Sequence, residues 1–144
     1  MLDDNYFMRQ ALAEAQKAYD RDEVPIGAIV VINNRIIARA HNLVETLNDV
    51  TAHAEMQAIT SAANVLGGKY LSNCTLYVTV EPCPMCAGAL GWSQLSRIVY
   101  GAKDPKRGYS IVSENVLHPK TKVTLGVMEE ECALLMKKFF EKKR

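Results

Sequence analysis

The chain has 144 residues, 49% hydrophobic and 23% charged, a length that fits a single domain, residues 1–144, around one core. Seventeen basic against sixteen acidic side chains leave a formal charge of +1, which excludes a polycation held to nucleic acid by charge alone; any such contact must be local. No apolar run approaches the roughly 20 residues that span a bilayer. Asp3 and Asp4 stand where an ordinary secretory signal would be basic, so a cytoplasmic chain with no membrane partner is expected.

From Asp4 to about Tyr19, Met8, Leu12, Ala15 and Tyr19 recur at helical spacing and predict an amphipathic first helix. Val24-Pro25-Ile26-Gly27 ends it. Ile26 to Ile32 is a β-branched run closed by Asn33-Asn34, and Arg35 to Ala40 completes a hairpin. Asn42 to Thr51 is polar and reads as a loop. A second helix follows from Ala54 to Leu66, with Thr51 as the expected N-cap and Gly67-Gly68 as the stop.

Cys74 to Val80 predicts a strand closed by Glu81-Pro82, followed by a small-residue helix from Pro84 to Trp92 and a strand from Arg97 to Ala102. Residues 103–120 are polar and broken by Pro105, Gly108 and Pro119. Lys122 to Leu125 adds a last strand and Val127 to Lys143 a last helix. Helices that alternate with strands imply parallel pairing with both sheet faces covered, while the early hairpin supplies an antiparallel pair. The expected class is α/β with a mixed, five-stranded sheet.

Four cysteines, Cys74, Cys83, Cys86 and Cys132, in a chain read as cytoplasmic point to metal ligands, catalytic groups or buried thiols. Two short segments narrow the choice: Thr51-Ala52-His53-Ala54-Glu55 and Glu81-Pro82-Cys83-Pro84-Met85-Cys86. Pro84 disfavours helical geometry at Cys83 and suits the first helical position, so Cys83 becomes an N-cap and Cys86 the third helical residue. Unpaired N–H groups and the helix dipole favour thiolate at such a place. His53, just inside its own helix start, can reach the same ion.

One imidazole and two thiolates suit Zn²⁺ and leave a fourth position open, as in catalytic rather than structural zinc sites. Glu55 is then a carboxylate beside the ion and not one of its ligands, suited to moving protons. The combination H-A-E and P-C-P-M-C resembles the H-x-E…P-C-x-x-C signature of zinc nucleobase deaminases. Further matches in Val24 to Gly27, Asn42, Thr75 to Leu90, Gly101 to Asp104, Val116 to Pro119 and Glu131 to Leu135 make the whole chain similar to bacterial tRNA-specific adenosine deaminases.

That resemblance implies a three-layer α/β/α, cytidine deaminase-like fold, one zinc per chain on His53, Cys83 and Cys86, Glu55 as proton shuttle, Asn42 as a contact to the base, and a homodimer. It implies a tRNA anticodon stem-loop as substrate, no DNA, and conversion of the wobble adenosine to inosine, with water attacking C6 while Glu55 serves N1 and the departing ammonia. Val50 and the segment Gly91 to Leu95 depart from the family's usual residues.

Three rival readings stand beside this one. A free-base deaminase acting on guanine or cytosine needs the same apparatus. A dithiol redox protein would use Cys83 and Cys86 alone. A structural zinc module would recruit Cys74, Cys132, His41 or His118 as a fourth ligand. Cys132 shares a helical stripe with Met128, Leu135 and Phe139, and Cys74 opens an apolar strand, so both read as buried thiols. His41 and His118 fall in predicted loops and read as surface or locally hydrogen-bonded groups. For RNA, the basic candidates are Lys103, Lys106 and Arg107, and Lys137, Lys138, Lys142, Lys143 and Arg144. Trp92 and Tyr109 are candidates for stacking on a splayed base, with core packing the alternative for Trp92.

Overall fold

The computed structural model describes residues 1–144. Helix α1 (Asp4–Asp20) is capped by Asp3, whose side chain accepts from the Tyr6 N–H at 2.9 Å. Strands β1 (Gly27–Ile32) and β2 (Arg35–His41) form the expected hairpin. Asn33 and Asn34 both take positive φ, 50° and 63°, as a tight turn between twisted strands requires. Then follow α2 (Val44–Leu47), α3 (Ala54–Leu66), β3 (Thr75–Val80), α4 (Pro84–Ser93), β4 (Arg97–Ala102), α5 (Tyr109–Val112), β5 (Lys122–Leu125) and α6 (Glu129–Lys142). A short 3₁₀ turn, Glu114–Val116, lies between α5 and β5.

The five strands form one sheet in the order β2-β1-β3-β4-β5. β1 is antiparallel to both neighbours, and β3, β4 and β5 run parallel. The inward residues of successive strands alternate between two faces, giving two cores. Ala28, Val30, Leu76, Val78, Ile98 and Tyr100 pack under Ala54, Ala58 and Ala62 of α3 and Ala87 and Leu90 of α4. Ile29, Val31, Tyr77 and Val99 pack against Phe7, Met8 and Ala11 of α1 and Cys132 of α6. The architecture is therefore the three-layer α/β/α arrangement with a mixed five-stranded sheet, and no helix is long and apolar enough to cross a membrane.

Three elements differ from the sequence reading. Residues 42–51 contain the single-turn helix α2, held by tertiary hydrogen bonds described below. Residues 103–120 contain α5 and the 3₁₀ turn, whose lengths fall below what a periodicity window detects. His41 is the last residue of β2 instead of a loop residue, and its Nδ1 lies 3.0 Å from Glu14 Oε1.

Close packing of α1 on β1 requires Gly27: a Cβ there would sit 2.0 Å from the Ala11 carbonyl oxygen and 2.4 Å from the Ala15 nitrogen. At the edge of the sheet where β3 and β4 begin, one carboxylate joins four elements. Asp4 receives both arms of Arg97, at 2.9 and 2.7 Å, and the Tyr77 hydroxyl at 2.7 Å, while Arg97 also donates to Thr124 Oγ1 at 3.0 Å. Arg97 holds the Asp4 carboxyl below its ordinary pKa, and burial together with Asp4 raises that of Tyr77.

Because a lowered carboxylate pKa adds stability above the unfolded value and loses it as pH falls through the folded one, this network stabilises at neutral pH and fades in acid. Asp4→Asn is expected to lower unfolding free energy by about 1 to 2 kcal/mol at pH 7. The gap from the parent chain should narrow below about pH 4, read from urea midpoints at both pH values.

Candidate active site and metal centre

The C-terminal ends of parallel strands are where α/β sheets place ligand crevices. Here β3 ends in Glu81-Pro82 and α4 begins at once: Cys83 is the N-cap with extended backbone (φ −72°, ψ 168°), Pro84 the first helical residue and Cys86 the third. This is the arrangement that Pro84 predicts. His53 is the N-cap of α3 (φ −74°, ψ 155°), one position outside the helix instead of just inside it. Its Nδ1 lies 3.7 Å from Cys83 Sγ and 3.5 Å from Cys86 Sγ, and the three ligand atoms lie within 4.8 Å of one another.

Cys74, Cys132, His41 and His118 do not join this cluster. The first two are fully buried free thiols, His41 is bound to Glu14, and His118 accepts the Lys120 N–H at 3.2 Å. Two thiols and an imidazole on two helix starts therefore fit a soft or borderline cation and leave room for a non-protein ligand. The electrostatics agree. Hydrogen bonds from Cys86 and His53 pull the Cys83 thiol down to about 4, whereas the Cys83 thiolate and burial push Cys86 up. Cys83 in turn holds His53 above its ordinary value.

Glu55 sits in the first turn of α3, 3% exposed, and its Oε1 has no hydrogen-bond partner. Burial, helped by the negative charge of Cys83, pushes its carboxyl up to about 7. A carboxyl kept near neutrality with a free oxygen beside a nucleophile site is suited to accept and return a proton.

Thr51 does not cap α3. Its N–H and hydroxyl turn back to Asp49 Oδ1, at 2.8 and 2.7 Å. Instead, the buried Asn42, twelve residues before Ala54, accepts the Ala54 N–H on Oδ1 at 2.7 Å. The Asn42 carbonyl is thus committed to the helix that carries Glu55, and its Nδ2 remains as a donor.

Two carboxylates that sequence reasoning passed over hold the loops around the cluster. Glu23, 1% exposed, accepts from the N–H groups of Glu45 and Thr46 at 3.0 and 2.6 Å and from the Thr46 hydroxyl at 2.7 Å, which fixes α2. Glu81, 4% exposed, accepts from the Asp104 N–H and the Ser110 N–H, both at 3.1 Å, and from the Ser110 hydroxyl at 2.6 Å. Their donors lie more than twenty residues downstream, so no local pattern announces them.

The two aromatic candidates for stacking part company. Trp92 is 84% exposed on the outer side of α4, so the core reading fails for it. Tyr109 is 5% exposed and belongs to the core under α3 and α4, which removes its ring as a stacking platform.

Residues 2–144 match the family model of MafB19-like deaminases. A tRNA-specific adenosine deaminase of Bacillus subtilis is 48% identical over 100% of this chain and 92% of its own length. The chain belongs to the tRNA-specific adenosine deaminases. A solved structure from work on A-to-I editing by tRNA:A34 deaminases at the wobble position of transfer RNA superposes on this deaminase with a TM-score of 0.85 and 45% identity, covering 90% of this chain and 98% of that one. A guanine deaminase of Bacillus subtilis is more distant, with a TM-score of 0.70 and 34% identity over 82% of this chain and 79% of that one.

The two functions of the Asn42 amide separate by substitution. Asn42→Ala removes the acceptor and should cost about 1 kcal/mol of stability, whereas Asn42→Asp keeps an acceptor for Ala54 and should stay close to the parent. Thermal or urea midpoints of the three proteins measure this.

Proposed function

We propose that this deaminase hydrolyses the wobble adenosine of a tRNA anticodon loop to inosine and ammonia, with one zinc per chain held by His53, Cys83 and Cys86. The observation that carries the reading is Glu55: a buried carboxyl with one oxygen unpaired, next to a His/Cys/Cys cluster that offers no fourth protein ligand. A zinc ion on these three side chains would supply Lewis acidity and lower the pKa of a water to roughly 7.

The chain's own groups do the rest. Glu55, at the start of α3, takes a proton from the attacking water and hands it to the ring nitrogen N1 as C6 becomes tetrahedral, then takes the proton of the new C6 hydroxyl and passes it to the amine, which leaves as ammonia as the C6 carbonyl forms. Burial aids both transfers, because it narrows the free-energy gap between the charged and neutral carboxyl. Asn42 donates through Nδ2 to an acceptor on the purine while its Oδ1 keeps α3 in place. Full-length similarity to tRNA-specific enzymes, higher in identity and coverage than that to the guanine deaminase, favours the RNA substrate over a free base.

We also propose a homodimer, acting in the cytoplasm. Support for the dimer comes from α4, whose sequence is apolar almost all round yet leaves Met85 39% and Trp92 84% exposed. A free surface does not need such a helix. Four unpaired cysteines suit a reducing compartment.

Incubation with a tRNA anticodon stem-loop and, separately, with guanine, cytosine and adenine should yield inosine in the RNA and no ammonia from the free bases; the reverse would reject the substrate. Glu55→Ala should retain about one zinc per chain and lose inosine formation entirely. Light scattering should find a dimer, and Trp92→Glu should move it toward the monomer.

A further inference from the structure

The loop after β4 carries Lys103, Lys106 and Arg107, all exposed and none within ion-pairing distance of a carboxylate. The other basic cluster is differently placed. Lys142 at the end of α6 and Lys143, its C-cap, pair with Asp22, Lys142 also lies 3.9 Å from the Tyr19 ring centre, and α6 packs on the sheet face opposite α3 and α4. Of the two, only the loop has cations that are both uncompensated and close in the fold to the metal cluster.

The loop is also rigid. Its two ends are held by the two oxygens of one side chain: Glu81 Oε1 takes the Asp104 N–H, and Oε2 takes the N–H and hydroxyl of Ser110. Gly108 lies flat on that carboxylate, where a Cβ would come 2.3 Å from Glu81 Cδ and 2.5 Å from each oxygen. Inside the loop, Asp104 Oδ1 accepts the N–H groups of Lys106 and Arg107, both at 3.0 Å. The Tyr109 N–H reaches the Pro82 carbonyl at 2.9 Å, next to Cys83. The two acidic groups of this region are thus spent on backbone N–H groups at its centre, while three positive charges point outward.

We propose that Glu81 is a positioning residue for RNA: it straps the 103–110 loop against the Pro82-Cys83 turn so that Lys103, Lys106 and Arg107 meet backbone phosphates flanking the target nucleotide. This rests on the tRNA reading above. A loop fixed in advance loses little conformational entropy when the RNA docks, so the strap acts on affinity. Interactions with phosphates remote from the reacting ring are made equally in the ground and transition states and show in KM instead of kcat. They also show in salt dependence, because each phosphate neutralised releases counterions.

The test uses the zinc-loaded full chain and a tRNA anticodon stem-loop. Glu81→Gln and, independently, Gly108→Ala, which wedges the loop off the carboxylate without altering charge, should each raise KM about fivefold to tenfold with kcat within about twofold. Zinc content should stay unchanged, and the slope of log KM against log salt should flatten by about 0.7 for each phosphate that the loop no longer neutralises. Combining Glu81→Gln with Lys103→Gln, Lys106→Gln and Arg107→Gln should be no worse than the three loop changes alone.

Zinc loss, a fall in kcat at unchanged KM, or full additivity with the loop charges would overturn the proposal. If the Glu81 variant fails to fold, Gly108→Ala and the milder Ser110→Ala decide. If the parent chain forms no inosine in the stem-loop, the tRNA reading fails on its own. The strap is then judged by fluorescence anisotropy of the labelled stem-loop on Glu55→Ala protein, where an unweakened complex with Glu81→Gln would overturn it.

Discussion

Strand direction is the constraint on which everything else depends. β1 runs antiparallel to both β2 and β3, so β2 and β3 point the same way, and β4 and β5 follow β3. The segments that leave β2, β3 and β4 therefore all emerge at one edge of the sheet. The first carries Asn42 and His53, the second Cys83 and Cys86, and the third Lys103, Lys106 and Arg107. Helices α3 and α4 both begin at that edge on the same face, and their starts bring the imidazole and the thiols together. A single strand reversed in this order would send one ligand set to the opposite edge.

Four glutamates are buried, Glu14, Glu23, Glu55 and Glu81, and one of them differs from the rest. Glu14 is matched by Lys17 and His41, Glu23 by three donors around Thr46, and Glu81 by three donors from Asp104 and Ser110. All three thus have both carboxylate oxygens hydrogen-bonded, and the partners of Glu14 and Glu23 outweigh burial and hold those carboxyls below their ordinary value. Glu55 alone keeps an oxygen without a partner, and burial drives its carboxyl up to about 7. The fold accepts that cost at one position, beside the His53, Cys83 and Cys86 cluster.

Much of the site was legible before the structure because its rules are local. Pro84 decides the conformation of Cys83 and the start of α4, and the hairpin follows from two asparagines that tolerate positive φ. The meeting of His53, Cys83 and Cys86 and the alternation of helices with strands follow from short motifs and periodicity. What escaped involves partners distant in the chain. Thr51 looked like a cap because it precedes a helix, but the acceptor came from Asn42, across the whole intervening loop. Glu23 and Glu81 look like ordinary acids ending a helix and a strand until their loops fold back on them. Tyr109, a stacking candidate by sequence, is buried, and the choice open for Trp92 falls to the exposed side, because exposure depends on which side of α4 and α5 meets the sheet and α4 has no polar stripe to mark its outer side.

The Asp4–Arg97–Tyr77–Thr124 junction sits at the edge where β3 and β4 begin, a strand's length from the His53, Cys83 and Cys86 cluster. Cohesion and chemistry are thus anchored at opposite ends of the same strands, joined by a rigid apolar core. Reinforcement at the first end leaves the geometry of the second untouched, and a substitution that costs stability at the catalytic edge can be offset from the far side. That separation gives the scaffold latitude to change what its rim loops recognise while retaining both the fold and the cluster beneath them.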